Sequence, residues 1–286
     1  MALIWQTFKT RALTAIVFAV VMLAGLLWNQ WSFFILFSII HFGAWNEYQN
    51  LVSVFNPAYR KTSEIHRYGA MIAGWCILLF FTNYHLKIGE LVLTDIGFWM
   101  GIMFMVSLPL VMFIDSKIVF LGSILYSMLG VLYISLPLAL LIELRNHWSD
   151  DAASLSYTVP LLIIFSLWIN DTMAYLVGSL VGKTPLSKIS PKKTWEGTIG
   201  GVILTIGVIC VIAQFTNRLS LIDAGIMAGI AAVSGTIGDL FESKLKRMAQ
   251  VKDSGNFMPG HGGFLDRFDS LLFASVFVWF YASLAL

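Results

Sequence analysis

Charge is what this sequence has least of. Of 286 residues, only 12% are Asp, Glu, Lys or Arg, against about 25% in soluble domains. Two Cys in the whole chain exclude a disulfide scaffold. No polar low-complexity stretch is present, which excludes disorder. The net charge of +2 does not imply a nucleic-acid partner. In place of charge there is apolar surface: 58% of residues are hydrophobic and mean hydropathy is +0.81. A soluble core of this length could not hide so much. The composition therefore predicts an all-α, polytopic membrane protein.

A helix needs about 20 apolar residues to cross the hydrocarbon core. Residues 12–46 lack Asp, Glu, Lys and Arg throughout and are broken only by Trp28-Asn29-Gln30-Trp31, which reads as two spans joined by an interfacial turn. Further spans are expected at 68–86, 91–114, 118–142, 157–182, 197–217, 224–238 and 270–286, nine in all. With the N-terminus in the cytosol, 15 of the 18 basic residues fall on the cytosolic side; Lys87, Arg145 and Arg218 do not. That asymmetry supports N-terminus in and C-terminus out. The first apolar run follows Lys9 and Arg11, as in a signal peptide, but bulky Trp28 stands where small residues would be needed for cleavage. The run is expected to stay as a span. Cys76 and Cys210 lie in apolar runs and read as packing residues.

The polar residues divide the chain unequally. Residues 1–150 are expected to form spans 1–5, a scaffold with dimer contacts and no recognisable site. Residues 151–286 are expected to be the catalytic region, spans 6–9, with cytosolic loops at 182–196 and 242–269. Three polar clusters lie there. The first is Asn170-Asp171-Thr172 with Tyr175. A carboxylate at span depth usually faces a cavity and a partner; it serves either a helix–helix hydrogen bond or a site. The second is the loop from Gly182 to Gly197, with Lys183, Lys188, Lys192 and Lys193 and two helix-breaking prolines, Pro185 and Pro191. It reads as an anionic-lipid contact or as a phosphate loop ahead of a helix start.

The third cluster is the most informative. Asp239, Ser243 and Lys246 fall on one helical face. Asp266 and Asp269, three apart, share a face at the start of the last span. Between the Asp239–Lys246 face and Asp266 run Lys252-Asp253-Ser254-Gly255 and Pro259-Gly260-His261-Gly262-Gly263, whose glycines let backbone approach a ligand closely. Three converging carboxylates need a cation among them, and oxygen ligands of this kind suit Mg²⁺ with substrate phosphates. Interleaved Lys and Arg would take the remaining phosphate charge.

The run Ser243-Lys244-Leu245-Lys246-Arg247, Lys252-Asp253 and Pro259-Gly260-His261-Gly262-Gly263-Phe264-Leu265-Asp266-Arg267-Phe268-Asp269 resembles the signature of the phosphatidate cytidylyltransferase family, the CDP-diacylglycerol synthases. Met258 departs from it, one apolar residue for another. Ser190-Pro191-Lys192-Lys193-Thr194-Trp195-Glu196-Gly197 and Asn170-Asp171-Thr172-Met173-Ala174-Tyr175 with Gly178 also resemble motifs of that family. The resemblance covers about residues 165–270; the first 150 match only as spans.

The resemblance implies condensation of CTP with phosphatidate, giving CDP-diacylglycerol and pyrophosphate. It implies Mg²⁺ dependence, K⁺ as a candidate second cation, a homodimer, and an active site at the cytosolic face of a bacterial-type cell membrane. Carried over by motif, Asp239, Asp266 and Asp269 are the expected metal ligands and, with Lys246, the expected catalytic residues. Expected substrate contacts are Asp171, Ser190, Lys192, Lys193, Ser243, Arg247, Lys252, Asp253, His261, Gly262, Gly263 and Arg267. Both reactants are anions, so charge neutralisation and in-line positioning should dominate catalysis. The attacking phosphate is already largely ionised, which removes the need for a strong base and leaves His261 as a phosphate donor or loop-shaping residue. Two other readings fit the composition: a relative acting on another acidic lipid, and an ion-coupled transporter using Asp171 and Asp239.

Overall fold

The computed structural model describes residues 5–114, 121–146, 156–257 and 262–286. These residues are almost wholly helical. In chain order the elements are α1 (Trp5–Leu27), α2 (Gln30–Phe55), α3 (Pro57–Arg60), α4 (Glu64–Phe80), α5 (Leu93–Ile114), α6 (Leu121–Gly130), a π-helical turn at Val131–Ser135, α7 (Leu136–Asn146), α8 (Thr158–Val181), α9 (Trp195–Thr216), α10 (Leu221–Met248) and α11 (Leu265–Ala285). The sheet among the described residues is an antiparallel ribbon of β1 (Lys87–Ile88) and β2 (Leu91–Val92). The chain falls into two compact units, Met1–Ile142 with Met248–Arg267, and Glu143–Arg247 with Phe268–Leu286.

Among the described residues, five stretches are long and apolar enough to cross a bilayer: Ser123–Asn146, Thr158–Val181, Trp195–Thr216, Leu221–Met248 and Leu265–Ala285. Leu13–Leu27 and Leu93–Leu108 are shorter apolar helices. Outward positions along these helices are greasy: Met105 is 76% exposed, Leu180 83% and Phe215 84%. In water that surface would be prohibitive, whereas lipid accepts it. The protein is an all-α integral membrane protein.

In the first unit, local chemistry sets the helix ends. The turn expected at Trp28–Trp31 is present: α1 stops at Leu27, and Asn29 starts α2 in a capping box with Ser32, whose N–H it accepts at 2.8 Å. Asn56 ends α2 and caps α3, accepting N–H bonds from Ala58 and Tyr59 at 3.0 and 3.1 Å. The core is built on Phe37, Trp45, Tyr59, Ile134 and Leu138. Within it, Ser135 Oγ accepts the Trp45 indole N–H at 2.8 Å and lies 3.0 Å from His41 Nε2. A side chain at Gly74 would overlap Ser135 Oγ, so this glycine lets α4 close on the π turn.

In the second unit, small residues let helices approach. A methyl group on Gly197 would meet Ala174 O at 2.7 Å and Gly178 Cα at 2.9 Å. One on Gly201 would meet Ala174 Cβ at 2.9 Å. The Gly178/Gly182 and Gly197/Gly201 pairs therefore form a close α8–α9 crossing of the small-xxx-small kind. Along α10 the buried face is Ala224, Ala228, Ala231, Ala232 and Gly235. Residues 242–248, expected from the sequence to lie in a cytosolic loop, continue α10 as helix to Met248.

Candidate active site

In the second unit the chemistry gathers where α8 ends, α9 begins and α10 passes. The segment between α8 and α9 is tied to itself. Leu186 N–H donates to Lys193 O at 2.7 Å, Trp195 N–H to Thr184 O at 3.0 Å, and Pro185 bridges Thr194. Glu196 accepts N–H bonds from Lys183 and Thr184, each at 3.2 Å. Thr194 caps α9, its Oγ1 accepting Gly197 N–H at 3.1 Å. The backbone donors expected to face a phosphate are thus partly used inside the loop. What the loop presents outward is its lysines: Lys192 is exposed, and Lys193 reaches Asp239 of α10 in a 2.7 Å ion pair. Ser190 supplies its carbonyl to Lys193 N–H at 3.1 Å.

Lys192 and Lys193 line a cleft of about 310 Å³ with Asn170, Asp171, Tyr175 and Thr236. Asn170 is buried and donates weakly to Thr236 Oγ1 at 3.4 Å. Asp171 and Tyr175 are exposed at the rim. Asp269, on α11, is 7% exposed and feels the charges of Asp239, Lys193 and Asp171. The carbonyl of Asp269 packs on Gly238, where a methyl group would come within 2.5 Å. The second unit therefore brings together Asp171, Lys192, Lys193, Asp239 and Asp269 from the expected set.

Lys246 meets a carboxylate of its own helix. Its Nζ lies 2.5 Å from Glu242 Oε2, one turn back on α10. Glu242 is 1% exposed. Its i,i+4 spacing to Lys246 carries this pairing, but the sequence motifs gave Glu242 no role. Ser243 is half-buried and Arg247 exposed on the same helix.

In the first unit the glycine-rich stretch closes around Asp266. Asp266 Oδ2 accepts N–H bonds from Ser254 and Gly263, both at 2.8 Å, and lies 2.9 Å from Ser254 Oγ. Gly262 has φ +81, a left-handed conformation that favours glycine, directly against the Asp266 carboxylate. Lys252, Asp253 and Arg267 are exposed. His261 lies outside the described residues.

The residue that sequence reasoning missed is Glu47, at the polar end of α2 and 8% exposed. Its Oε1 accepts Phe264 N–H at 2.8 Å; its Oε2 accepts Leu265 N–H at 2.9 Å and lies 2.7 Å from Ser254 Oγ. Its one sequence signal is a lone carboxylate directly after a 35-residue stretch free of formal charge, 12–46.

The donor chemistry in the second unit fits a hard divalent cation. Asp239 and Asp269 offer carboxylate oxygens, and their mutual repulsion is offset in part by Lys193. Among the described residues no three His, Cys, Asp or Glu side chains form a complete metal cage. Mg²⁺ does not need one, since it is commonly held by one or two carboxylates together with substrate phosphates.

The chain matches the cytidylyltransferase family over residues 9–285. It belongs to that family. It is 41% identical over 159 residues to a phosphatidate cytidylyltransferase of Bacillus subtilis (strain 168), over 54% of this chain and 57% of that protein. Phosphatidate cytidylyltransferase 4, chloroplastic, of Arabidopsis thaliana is 41% identical over 137 residues, 47% of this chain and 34% of that protein. The Rickettsia bellii (strain RML369-C) phosphatidate cytidylyltransferase is 35% identical over 175 residues, 56% of this chain and 70% of that protein. The chain thus covers about half or less of the length of the first two of these relatives.

Proposed function

We propose that this protein transfers the cytidylyl group of CTP to phosphatidate, releasing pyrophosphate and forming CDP-diacylglycerol. The observation that carries the reading is the Lys193–Asp239 pair at a cleft rimmed by Asp171 and Lys192, with buried Asp269 in its field. The names of the relatives supply the substrate pair.

In the proposed reaction a phosphatidate oxygen attacks the α-phosphorus of CTP. A new P–O bond forms as the bond to the β-phosphate breaks, and pyrophosphate leaves with the electron pair. No proton has to be removed from the attacking oxygen, so the residues act by position and charge. Lys192 and Lys193 take phosphate oxygens at the cleft, and Asp171 orients the nucleotide. Lys246, Arg247, Lys252 and Arg267 serve the same anions, with Ser190, Ser243, Asp253, His261, Gly262 and Gly263 as further contacts. The proposed ligands of Mg²⁺ are Asp239 and Asp269, with Asp266 one turn earlier on α11 and K⁺ as the second cation. When bound, Mg²⁺ neutralises the phosphate oxygens on which charge accumulates.

The same proposal includes nine spans, N-terminus in and C-terminus out, the site at the cytosolic face of a bacterial-type cell membrane, and a homodimer. The acyl chains then stay in the bilayer while the head group meets CTP at its surface. The test is purified protein in nanodiscs with Mg²⁺, labelled CTP and a panel of lipid acids. Formation of CDP-diacylglycerol with stoichiometric pyrophosphate supports the reading. CTP left intact with every lipid overturns it, and turnover only with another lipid acid reassigns the acceptor.

A further inference from the structure

We infer that Glu47, in the otherwise chemically plain N-terminal half, is a positioning residue for the signature residues 249–257 and 262–264 and for the start of α11. The inference rests on the proposed cytidylyltransferase reading, because α11 carries the carboxylates Asp266 and Asp269.

The first amides of any helix lack partners within the helix. At the start of α11, Glu47, more than 200 positions earlier, holds the N–H groups of Phe264 and Leu265 at 2.8 and 2.9 Å, and Ser254 Oγ takes that of Asp266 at 3.3 Å. A carboxylate there also meets the positive end of the helix dipole. The same carboxylate is 2.7 Å from Ser254 Oγ, which is in turn 2.9 Å from Asp266 Oδ2. One serine hydroxyl therefore stands between the two carboxylates, and Ser254 N–H fixes Asp266 at 2.8 Å. Glu47 thus holds both ends of the loop: Ser254 on entry, Phe264 and Leu265 on exit.

The loop is cut to admit this side chain. A methyl group on Gly255 or Gly263 would overlap the Glu47 carboxylate. Part of the glycine content that reads in sequence as room for a ligand is room for Glu47. Ring stacking of Phe257 on Phe264, centroids 3.9 Å apart, closes the loop beside it, and Phe264 fills the space over Gly43 one turn before Glu47.

A carboxylate that only stabilised the fold would change the amount of folded protein. A positioning carboxylate changes turnover per folded molecule and the order of the loop. The test uses the full chain in nanodiscs, with Glu47→Gln and Ser254→Ala as separate variants. Gln keeps the length but replaces one accepting oxygen by a donor that faces N–H groups. The expected result is a kcat lower by about 10–100-fold, the usual scale for residues that orient a metal-binding carboxylate. The fall in kcat should exceed any rise in KM for CTP and lipid, because the misplaced metal-binding carboxylates act mainly in the transition state. The second readout does not involve turnover. In a background with Cys76 and Cys210 replaced by Ala, a Cys at Ala249, which is 2% exposed, should be alkylated at least about tenfold faster in the Glu47→Gln variant, as local opening of the loop becomes easier. Wild-type kcat together with wild-type alkylation overturns the inference. So does a smaller folded fraction whose turnover and alkylation per folded molecule are unchanged. If Glu47→Gln does not fold, Ser254→Ala carries the same two readouts, and the same outcomes support or overturn the inference. Alkylation still reports on the loop if the wild type turns over no lipid acid, so failure of the functional reading is distinguishable from failure of this one.

Discussion

Lys193 Nζ lies 2.7 Å from Asp239 Oδ2, pinning the α8–α9 loop to α10. Both side chains keep roughly a third of their exposure, 31% and 30%. An ion pair that wet contributes little to folding, about 0–1 kcal/mol. If Lys193 serves a phosphate in the transition state, its removal costs far more in rate than in stability. Lys193→Ala should therefore unfold within about 1 kcal/mol of wild type while kcat falls by roughly 10²–10³, the usual cost of one preorganised donor. Thermal unfolding and steady-state kinetics on one preparation check this. Equal, small losses in both would return Lys193 to a topological or lipid-contact role.

For Lys246 a loss of stability should accompany the loss of turnover. Its partner Glu242 is 1% exposed. Removing one member of a buried pair leaves the other charge poorly compensated, at a cost of about 3–5 kcal/mol. Lys246→Ala is expected to lose that much stability, and Glu242→Gln in the same chain to restore most of it. A double-mutant cycle by unfolding in mixed micelles measures the coupling. Independent, additive effects of the two changes would show that the pair does not hold α10.

The divalent-cation requirement follows from Asp239 and Asp269. Asp239→Asn and Asp269→Asn should each fold and lose most turnover, and Asp266→Asn should do the same through its place on α11. Activity of all three at wild-type Mg²⁺ concentration would remove the metal assignment. Activity of Asp266→Asn alone would confine it to the other two.

Much of this was legible in the sequence, and the reasons differ by element. The helical membrane class follows from 12% charge and 58% apolar residues. The break after α1 follows from Asn29, whose side chain is a helix-capping group. Asp171, Lys192, Lys193, Asp239 and Asp269 stood out as polar groups near apolar spans, because burying such groups is costly without a purpose. The Lys246–Glu242 pair was missed because a shared helical face gives direction but not partner: Glu242, four residues back, is within reach of Lys246, whereas Asp239, seven back, is two turns away. Glu47 was missed because the contact between α2 and the signature residues 249–257 and 262–264 is tertiary, and nothing local to Asn46-Glu47-Tyr48 announces it. Ribbon β1–β2 escaped notice because two-residue strands carry no periodicity.

Topology can be tested independently of activity. Lys188, Asn256 and Ser220 are all exposed. In the nine-span arrangement, Cys at 188 and 256 should react with an impermeant reagent from the cytosolic side and Cys at 220 from the other. Reaction of 188 and 220 from the same side would overturn the arrangement.

The last prediction concerns Gly263 and Glu47 as a pair. A methyl group on Gly263 would sit inside contact distance of both carboxylate oxygens of Glu47. That carboxylate cannot swing away cheaply, since Phe264 N–H, Leu265 N–H and Ser254 Oγ hold it. Gly263 has no positive φ, so backbone strain is not the obstacle to alanine; the clash is. Gly263→Ala should then cost about 1–3 kcal/mol, the scale of overpacking at a tight site. In a Glu47→Ala background the space is open, and the same change should cost under about 0.5 kcal/mol, a coupling well above the error of additivity for independent sites. Gly262→Ala should show no such relief from Glu47→Ala, because its strain comes from φ +81 and from Asp266. Unfolding of the two singles and the double in identical micelles decides the matter. A Gly263→Ala cost that is the same with and without Glu47 would mean that the carboxylate is not what the glycine makes room for.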